Sequence, residues 1–265
     1  SIFGQEKNVV NAAIAKMNLF LHGASDFNVM QGDTLRDPKI LQGGNIAKFD
    51  CVIANPPFSL ENWGATEWSS DKYKRNIYGT PSDSCGDYAW IQHMICSMVS
   101  GQGRMAVVMP QGILFRNQET EIRKQLVESD LIEAVVTLGD KLFYGTGLSP
   151  CFLIIRRMKP AHHFGRILMI DGSKILTQKR AQNILEENDI DRLYSLYQNY
   201  SDEEDYSRIV TLQEIRDKEY NLSPNRYVVY HKEEIRPYAE VLAEFKHAYE
   251  EVKRLEEEFS LLINA

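Results

Sequence analysis

Cysteine pairs, a membrane-length apolar run and an excess of basic charge are all missing from this chain of 265 residues. The four cysteines, Cys51, Cys85, Cys96 and Cys151, include no CxxC pair. Their spacing suggests neither a zinc ligand set nor a disulfide framework, which fits a reducing compartment. No apolar stretch approaches the roughly 20 residues that a membrane helix needs, and the first residues lack the basic, apolar, small-residue pattern of an export signal. These absences predict a soluble cytoplasmic protein with no membrane contact. The net charge of −7 speaks against a general nucleic-acid coat, which needs Lys and Arg in excess to neutralise phosphate. That charge is unevenly spread, however. Residues 1–200 carry as many basic as acidic side chains, so the whole excess of acid falls on residues 201–265.

With 43% apolar residues the chain has enough material for a sizeable core, and its periods alternate between strand and helix. Ile2 and Phe3 close a short strand; Val10, Ala13, Ile14, Met17 and Leu21 recur at helical spacing until Gly23; a second strand follows at Phe27–Met30. Cys51, Val52 and Ile53 run without polar alternation, as a buried parallel strand does. Further strands are expected at Arg104–Met109, Leu131–Leu138, Cys151–Ile155 and Ile167–Ile170, with helices at about Asp87–Ser100 and Gln118–Glu128. This order predicts an α/β protein with a mostly parallel sheet. Beyond Asp171 the pattern turns polar and helical, which predicts a core at 1–172, a helical or mixed extension at 173–230 and a long tail helix at 231–265. In the tail, Ile235, Tyr238, Leu242, Phe245, Tyr249, Val252, Leu255, Phe259 and Leu262 form a heptad-like seam with one slip. Such a seam suits either a helix of another subunit or packing within the chain.

The strongest chemical signal follows Asp50: an apolar strand that ends in Asn55, Pro56, Pro57 and Phe58. Two prolines fix φ and stop a ladder, and the carboxyl end of a parallel strand is where open α/β sheets bind ligands. The string FDCVIANPPFS resembles motif IV of amino-directed, AdoMet-dependent methyltransferases, which act on adenine N6, cytosine N4 or a glutamine amide. GQEKN, MNLFLHG, GDTL, GDYAWIQHM, GRMAVVMPQGILF, LIEAVVTLGDKLFYGTGLSPCFLII and EYNLSPNRYV extend the likeness over about residues 1–230. Together they resemble the modification subunit of type I restriction-modification systems.

The resemblance implies a Rossmann-like methyltransferase sheet followed by a helical C-terminal extension. It implies methyl transfer from S-adenosyl-L-methionine (AdoMet) to adenine N6 at a specific DNA site, with no metal. The Asn55 side-chain oxygen and the Pro56 carbonyl would hold the amine, Pro57 would stiffen the turn and Phe58 would stack on an extruded base. Glu6 would bind the cofactor's ribose hydroxyls, and Asp33 would lie near its adenine amine. DNA, a specificity subunit, a restriction subunit and a second modification subunit are the implied partners. In that family a glycine-rich motif, DPxxGxGG, precedes GQE with its strand, and both are absent from this sequence. Together with a start at Ser1 this predicts a sheet incomplete at its N-terminal side, in a piece of a longer protein that binds AdoMet poorly alone. An RNA or protein-glutamine methyltransferase is the alternative enzyme, and a silent fragment acting only in subunit assembly is the non-enzymatic one.

Several other groups carry weaker expectations. The loop with Trp63, Trp68, Tyr73, Tyr78, Lys72, Lys74 and Arg75 is a candidate wall of a nucleotide channel. Phe143 and Tyr144 either line the base pocket or pack in the core. Asp87 is expected to cap the helix that begins at Tyr88. His162 and His163 stand among Arg156, Arg157, Lys159 and Arg166, which form either a DNA-backbone face or a solvated charged one.

Overall fold

Asn8 starts the first helix for a local reason: its side chain accepts the amides of Val10 and Asn11, donors that a first turn leaves open. The computed structural model describes residues 1–143, 147–180, 182–231 and 238–263. It opens with strand β1 (Ile2–Glu6), helix α1 (Val9–Leu21) and strand β2 (Phe27–Gln31). β1 and β2 pair in parallel, from Ile2 opposite Phe27 to Glu6 opposite Gln31, as a separate two-stranded sheet. A small hairpin of β3 (Leu41–Gln42) and β4 (Asn45–Ile46) leads to β5 (Cys51–Ala54), α2 (Ala65–Ser69), α3 (Asp87–Cys96) and β6 (Arg104–Pro110). Then come α4 (Thr120–Glu128), β7 (Ile132–Leu138), β8 (Pro150–Arg156), β9 (Arg166–Gly172), α5 (Glu187–Asn199), β10 (Ser207–Thr211) and α6 (Leu212–Asp217).

The main sheet has six strands in the order β10-β9-β7-β8-β6-β5. β5 with β6 and β7 with β9 are parallel, whereas β8 runs antiparallel to both β6 and β7, and β10 antiparallel to β9. The sheet is therefore mixed where the element order suggested mostly parallel. The described residues of the link between β7 and β8 include no crossover helix, as suits a return to an antiparallel neighbour. β7 is buried along its whole length. On one face Ile91 and Ile95 of α3 and Leu126 of α4 pack on Met105, Val107, Val135 and Leu153. On the other, Leu193 and Leu196 of α5 meet Ala134, Val136, Leu168 and Ile170.

Three expectations change here. The apolar run at Cys51–Ile53 forms a parallel strand, but at the sheet's edge: Val52 and Ala54 face the core, while Cys51 is exposed and Ile53 is 77% exposed. An unbroken apolar run shows that both faces are apolar, and here one of them is uncovered by the described residues. In the same way Val10, Ile14, Met17 and Leu21 of α1 are all exposed. Residues 173–230 contain strand β10, which joins the main sheet, and Val210, Ile215, Leu222 and Tyr227 enter the same core as α3 and β6. The compact unit accordingly spans Ser1–Tyr230, and His231–Ala265 forms a second unit. That second unit is α7 (Tyr238–Ile263), with Phe245, Tyr249, Val252, Leu255 and Phe259 exposed along it. Ile235 lies outside the described residues, as does the Leu262 side chain. No helix among the described residues is long and apolar enough to cross a membrane.

Candidate active site

The Asn-Pro-Pro-Phe turn leaves the carboxyl end of β5. Pro56 is buried and anchors it, Asn55 and Pro57 are exposed, and Phe58 is half-buried. Among the described residues the Asn55 side chain and the Pro56 carbonyl take no hydrogen bond, so both acceptors stay open. The Phe58 ring stands edge-on to Phe143, with centroids 6.2 Å apart. The sequence left Phe143 between pocket and core, and the structure brings it to the turn; Tyr144, Gly145 and Thr146 lie outside the described residues.

Directly after Phe58 the chain enters the left-handed region at Ser59, with φ of 50°. The Ser59 N–H donates to Asp87 Oδ1 at 2.7 Å. Asp87 Oδ2 accepts from Arg116 Nη2 at 2.5 Å and from the Cys85 thiol at 3.3 Å, and Arg116 Nε donates to Glu119 Oε2 at 3.0 Å. Burial lifts the Cys85 thiol to about 11, which keeps it a protonated donor. Burial also raises the Glu119 carboxyl, against the opposing pull of Arg116. Cys85, Asp87 and Glu119 offer donor atoms within 4.8 Å of one another, but the Arg116 guanidinium already supplies the positive charge among them. Asp87 is thus no helix cap: the cap position falls on Gly86, and no side chain caps the helix. Sequence reading missed its role because a carboxylate at a helix start is explained locally, whereas its partners come from residues 59 and 116.

Glu6 is the last residue of β1, and Asp33 lies two residues past the end of the adjacent parallel strand β2. Glu6 Oε1 accepts the Asn8 amide at 2.7 Å, while Oε2 has no hydrogen bond among the described residues, so it can take a ribose hydroxyl. Asp33 Oδ1 accepts the amides of Leu35 and Arg36, each at 3.1 Å, and Oδ2 pairs with Lys7 at 3.0 Å. Burial works against the Asp33 carboxylate, yet Lys7 and the amides outweigh it and hold the group below its usual range. These two carboxylates fit the adenosine end of a nucleoside cofactor.

Part of the loop after the turn is a packed layer, while Lys72 and Lys74 stay exposed. Trp63 and Trp68 are each 2% exposed, Arg75 is equally buried, and Leu35 packs with both indoles. Arg36 donates to the carbonyls of Asn62 and Trp63, which ties the Asp33 loop to the segment downstream of Phe58. The basic stretch at 156–166 is largely used inside the fold. Arg156 pairs with Glu133 at 3.2 Å, Arg157 donates to the Ile95 carbonyl at 2.6 Å, and buried Lys159 pairs with Asp130 at 2.6 Å. His163 sits against Glu133 and stacks on Tyr200. A cavity of about 530 Å³ lies beside this group, lined by Cys51, Ile53, Arg104, Glu133 and Tyr197 among others, and includes no residue of the Asn-Pro-Pro-Phe turn.

The comparisons with known proteins fit this arrangement. The type I restriction-modification methyltransferase subunit from Streptococcus thermophilus has a TM-score of 0.78 at 29% identity, over 85% of this chain and 48% of that one. The fold is thus that of such a methyltransferase subunit. Residues 1–235 match the family described as N-6 DNA Methylase. The type I restriction enzyme MjaVII methylase subunit of Methanocaldococcus jannaschii is 36% identical, over 97% of this chain and 46% of that protein. The HindI methylase subunit of Haemophilus influenzae is 31% identical, over 86% and 52%. The chain belongs to the N-6 DNA methylase family, and it spans about half the length of the curated relatives it matches.

Proposed function

We propose that this chain carries the amine-binding half of a site-specific DNA adenine N6-methyltransferase, the modification subunit of a type I restriction-modification system. The observation that carries the reading is the turn itself: an exposed Asn55 and an open Pro56 carbonyl, set side by side at the end of β5. The N6 lone pair of adenine is delocalised into the ring and is a poor nucleophile. Two fixed acceptors on its two N–H groups orient that lone pair toward the methyl carbon and favour pyramidal nitrogen as positive charge develops there. Phe58, steadied by Phe143, offers a face for the extruded base. The turn contains no general base, so the amine proton leaves to solvent after the N–C bond has formed. AdoMet supplies an electrophilic methyl group when bound, with Glu6 at its ribose and Asp33 near its adenine.

DNA, a specificity subunit, a restriction subunit and a second modification subunit are the proposed partners. The exposed seam of α7, flanked by acidic side chains, suits a helix of another subunit better than a phosphate backbone. Asn55→Ala in the reconstituted complex tests the reading. N6-methyladenine formation, measured by mass spectrometry of the digested DNA, is expected to vanish while DNA affinity stays within about threefold. Retained methylation would show that another group holds the amine.

A further inference from the structure

We propose that Asp87 and Arg116 are positioning residues that set the geometry of the Asn-Pro-Pro-Phe turn, an inference resting on the reading of that turn as the amine site. Few backbone torsions of the turn are free. The rings of Pro56 and Pro57 fix their own φ, and each proline also restricts the residue before it, so Asn55 and Pro56 have little freedom. Pro56 is buried as well, which clamps the amino end of the turn. The soft torsions are those of Phe58 and Ser59. They decide where the aromatic ring points and how the peptide after Pro57 lies against the two acceptors.

Ser59 sits at φ 50°, a region that residues with a Cβ avoid unless the surroundings over-determine it. Here the determinant is the Asp87 carboxylate, which accepts the Ser59 N–H at 2.7 Å from a position with 0% exposure. Asp87 in turn is held by the Arg116 guanidinium at 2.5 Å, and Arg116 is oriented by Glu119 at 3.0 Å. Arg116 Nη1 also lies 3.5 Å from Ser59 Oγ, so the serine is approached from both backbone and side chain. Asp87 is the first residue of α3, whose Tyr88, Ile91 and Ile95 are core residues. The turn is therefore referenced to the rigid body of the domain through one charge pair, its carboxylate buried and its guanidinium half-buried. A buried carboxylate that merely stabilised α3 would accept that helix's own amides, and no side chain caps α3.

Three variants in the complex reconstituted with the gene's full product test this. Asp87→Asn keeps the shape but loses the charge that binds both Arg116 and the Ser59 amide. Its kcat is expected to fall about 10- to 100-fold, with KM for AdoMet and for DNA within about threefold. Hydrogen exchange at the Ser59 amide should quicken about tenfold while the core strands stay protected. Adding Ser59→Gly to Asp87→Asn makes the left-handed conformation sterically free and should restore part of the lost kcat, which a general loss of stability would not allow. Asn55→Ala serves as the third. If it abolishes methylation while folded Asp87→Asn keeps kcat within about twofold, the brace is refuted and the amine-site reading stands. If activity in Asp87→Asn falls only in step with the folded fraction, and Ser59→Gly recovers nothing, the role is structural and the proposal fails. Retained methylation in Asn55→Ala refutes the amine-site reading, and the brace falls with it.

Discussion

Acid should loosen the domain at His93, and the size of the effect follows from one hydrogen bond. Arg75 Nη1 lies 3.2 Å from His93 Nδ1. A guanidinium has only N–H groups to offer, so His93 Nδ1 must present its lone pair. The last turn of α3, where His93 sits, would favour a protonated ring by only about 0.3–1 kcal/mol. Burial and the Arg75 charge act the other way, partly offset by Asp71, and push the imidazole down to about 3. The folded value thus lies below the unfolded one of about 6.5. The sign follows: this contribution to stability is complete above about pH 6.5 and is lost as pH falls toward 3, because the unfolded chain takes up the proton first. At 1.36 kcal/mol per pH unit the loss at about pH 5, relative to about pH 7.5, is about 2 kcal/mol. Urea unfolding at those two pH values measures it. In His93→Asn, whose Oδ1 can accept from Arg75 without titrating, the difference between the two pH values should shrink by about 2 kcal/mol. His163, also held below its usual value by burial, is common to both proteins and cancels. A variant with the same pH dependence as the parent, within about 0.5 kcal/mol, would refute the assignment of His93 as a neutral acceptor.

Two further outcomes are expected. The β-bulge between Ile132 and Ala134 turns Glu133 inward, where it is 2% exposed and meets Arg156 at 3.2 Å, His163 at 3.1 Å and the Tyr197 hydroxyl at 2.7 Å. Glu133→Ala strands these partners and should cost about 3–5 kcal/mol in chemical unfolding, with Glu133→Gln costing less because it keeps an acceptor for Tyr197. On α7, Phe245→Asp with Val252→Asp should abolish co-elution with a partner subunit on size exclusion. The unfolding free energy of the Ser1–Tyr230 unit should stay within about 0.5 kcal/mol, since both residues are exposed in a separate unit.

What the sequence made legible is whatever depends on neighbours in the chain. The Asn-Pro-Pro-Phe turn, the strand before it, α1 and the amphipathic tail all follow from periods and local chemistry. β10 escaped because Ser207–Thr211 is short, and its meaning comes from β9, with Ser207 opposite Ile170. The sequence could not reveal the direction of β8, because a run of apolar residues at 150–156 reads the same either way. For the site, the turn was legible and its brace was not: Asp87 and Arg116 lie 29 residues apart and look like a helix start and a surface arginine until the fold joins them. The basic stretch misled for the converse reason. Counting charges does not show that Lys159 is spent on Asp130, or Arg156 on Glu133.

The loop that carries Arg75 has a structural task, which follows from how the two sheets meet. β1–β2 and the six-stranded sheet share no ladder, so backbone pairing does not fix the cofactor-side carboxylates relative to the amine turn. Side chains contribute instead, Arg36 by its bonds to the Asn62 and Trp63 carbonyls and Arg75 by a larger set. Its five N–H groups are all used: Nε and Nη2 on the two oxygens of Asp71 at 3.0 and 2.7 Å, Nη1 on the Thr34 carbonyl at 2.9 Å and on His93, and Nη2 on the Leu35 carbonyl at 2.6 Å. Its Cζ lies 4.5 Å from the centroid of the Trp68 ring. Thr34 and Leu35 directly follow Asp33, and His93 belongs to the same helix that begins with Asp87. A single planar cation therefore links the loop of the proposed cofactor carboxylate to the helix whose first residue holds the amine turn. Lysine, with three donors on one nitrogen and no plane to stack, cannot make that set of contacts. The neutrality of His93 follows from the same geometry, since the fifth donor has nowhere else to go.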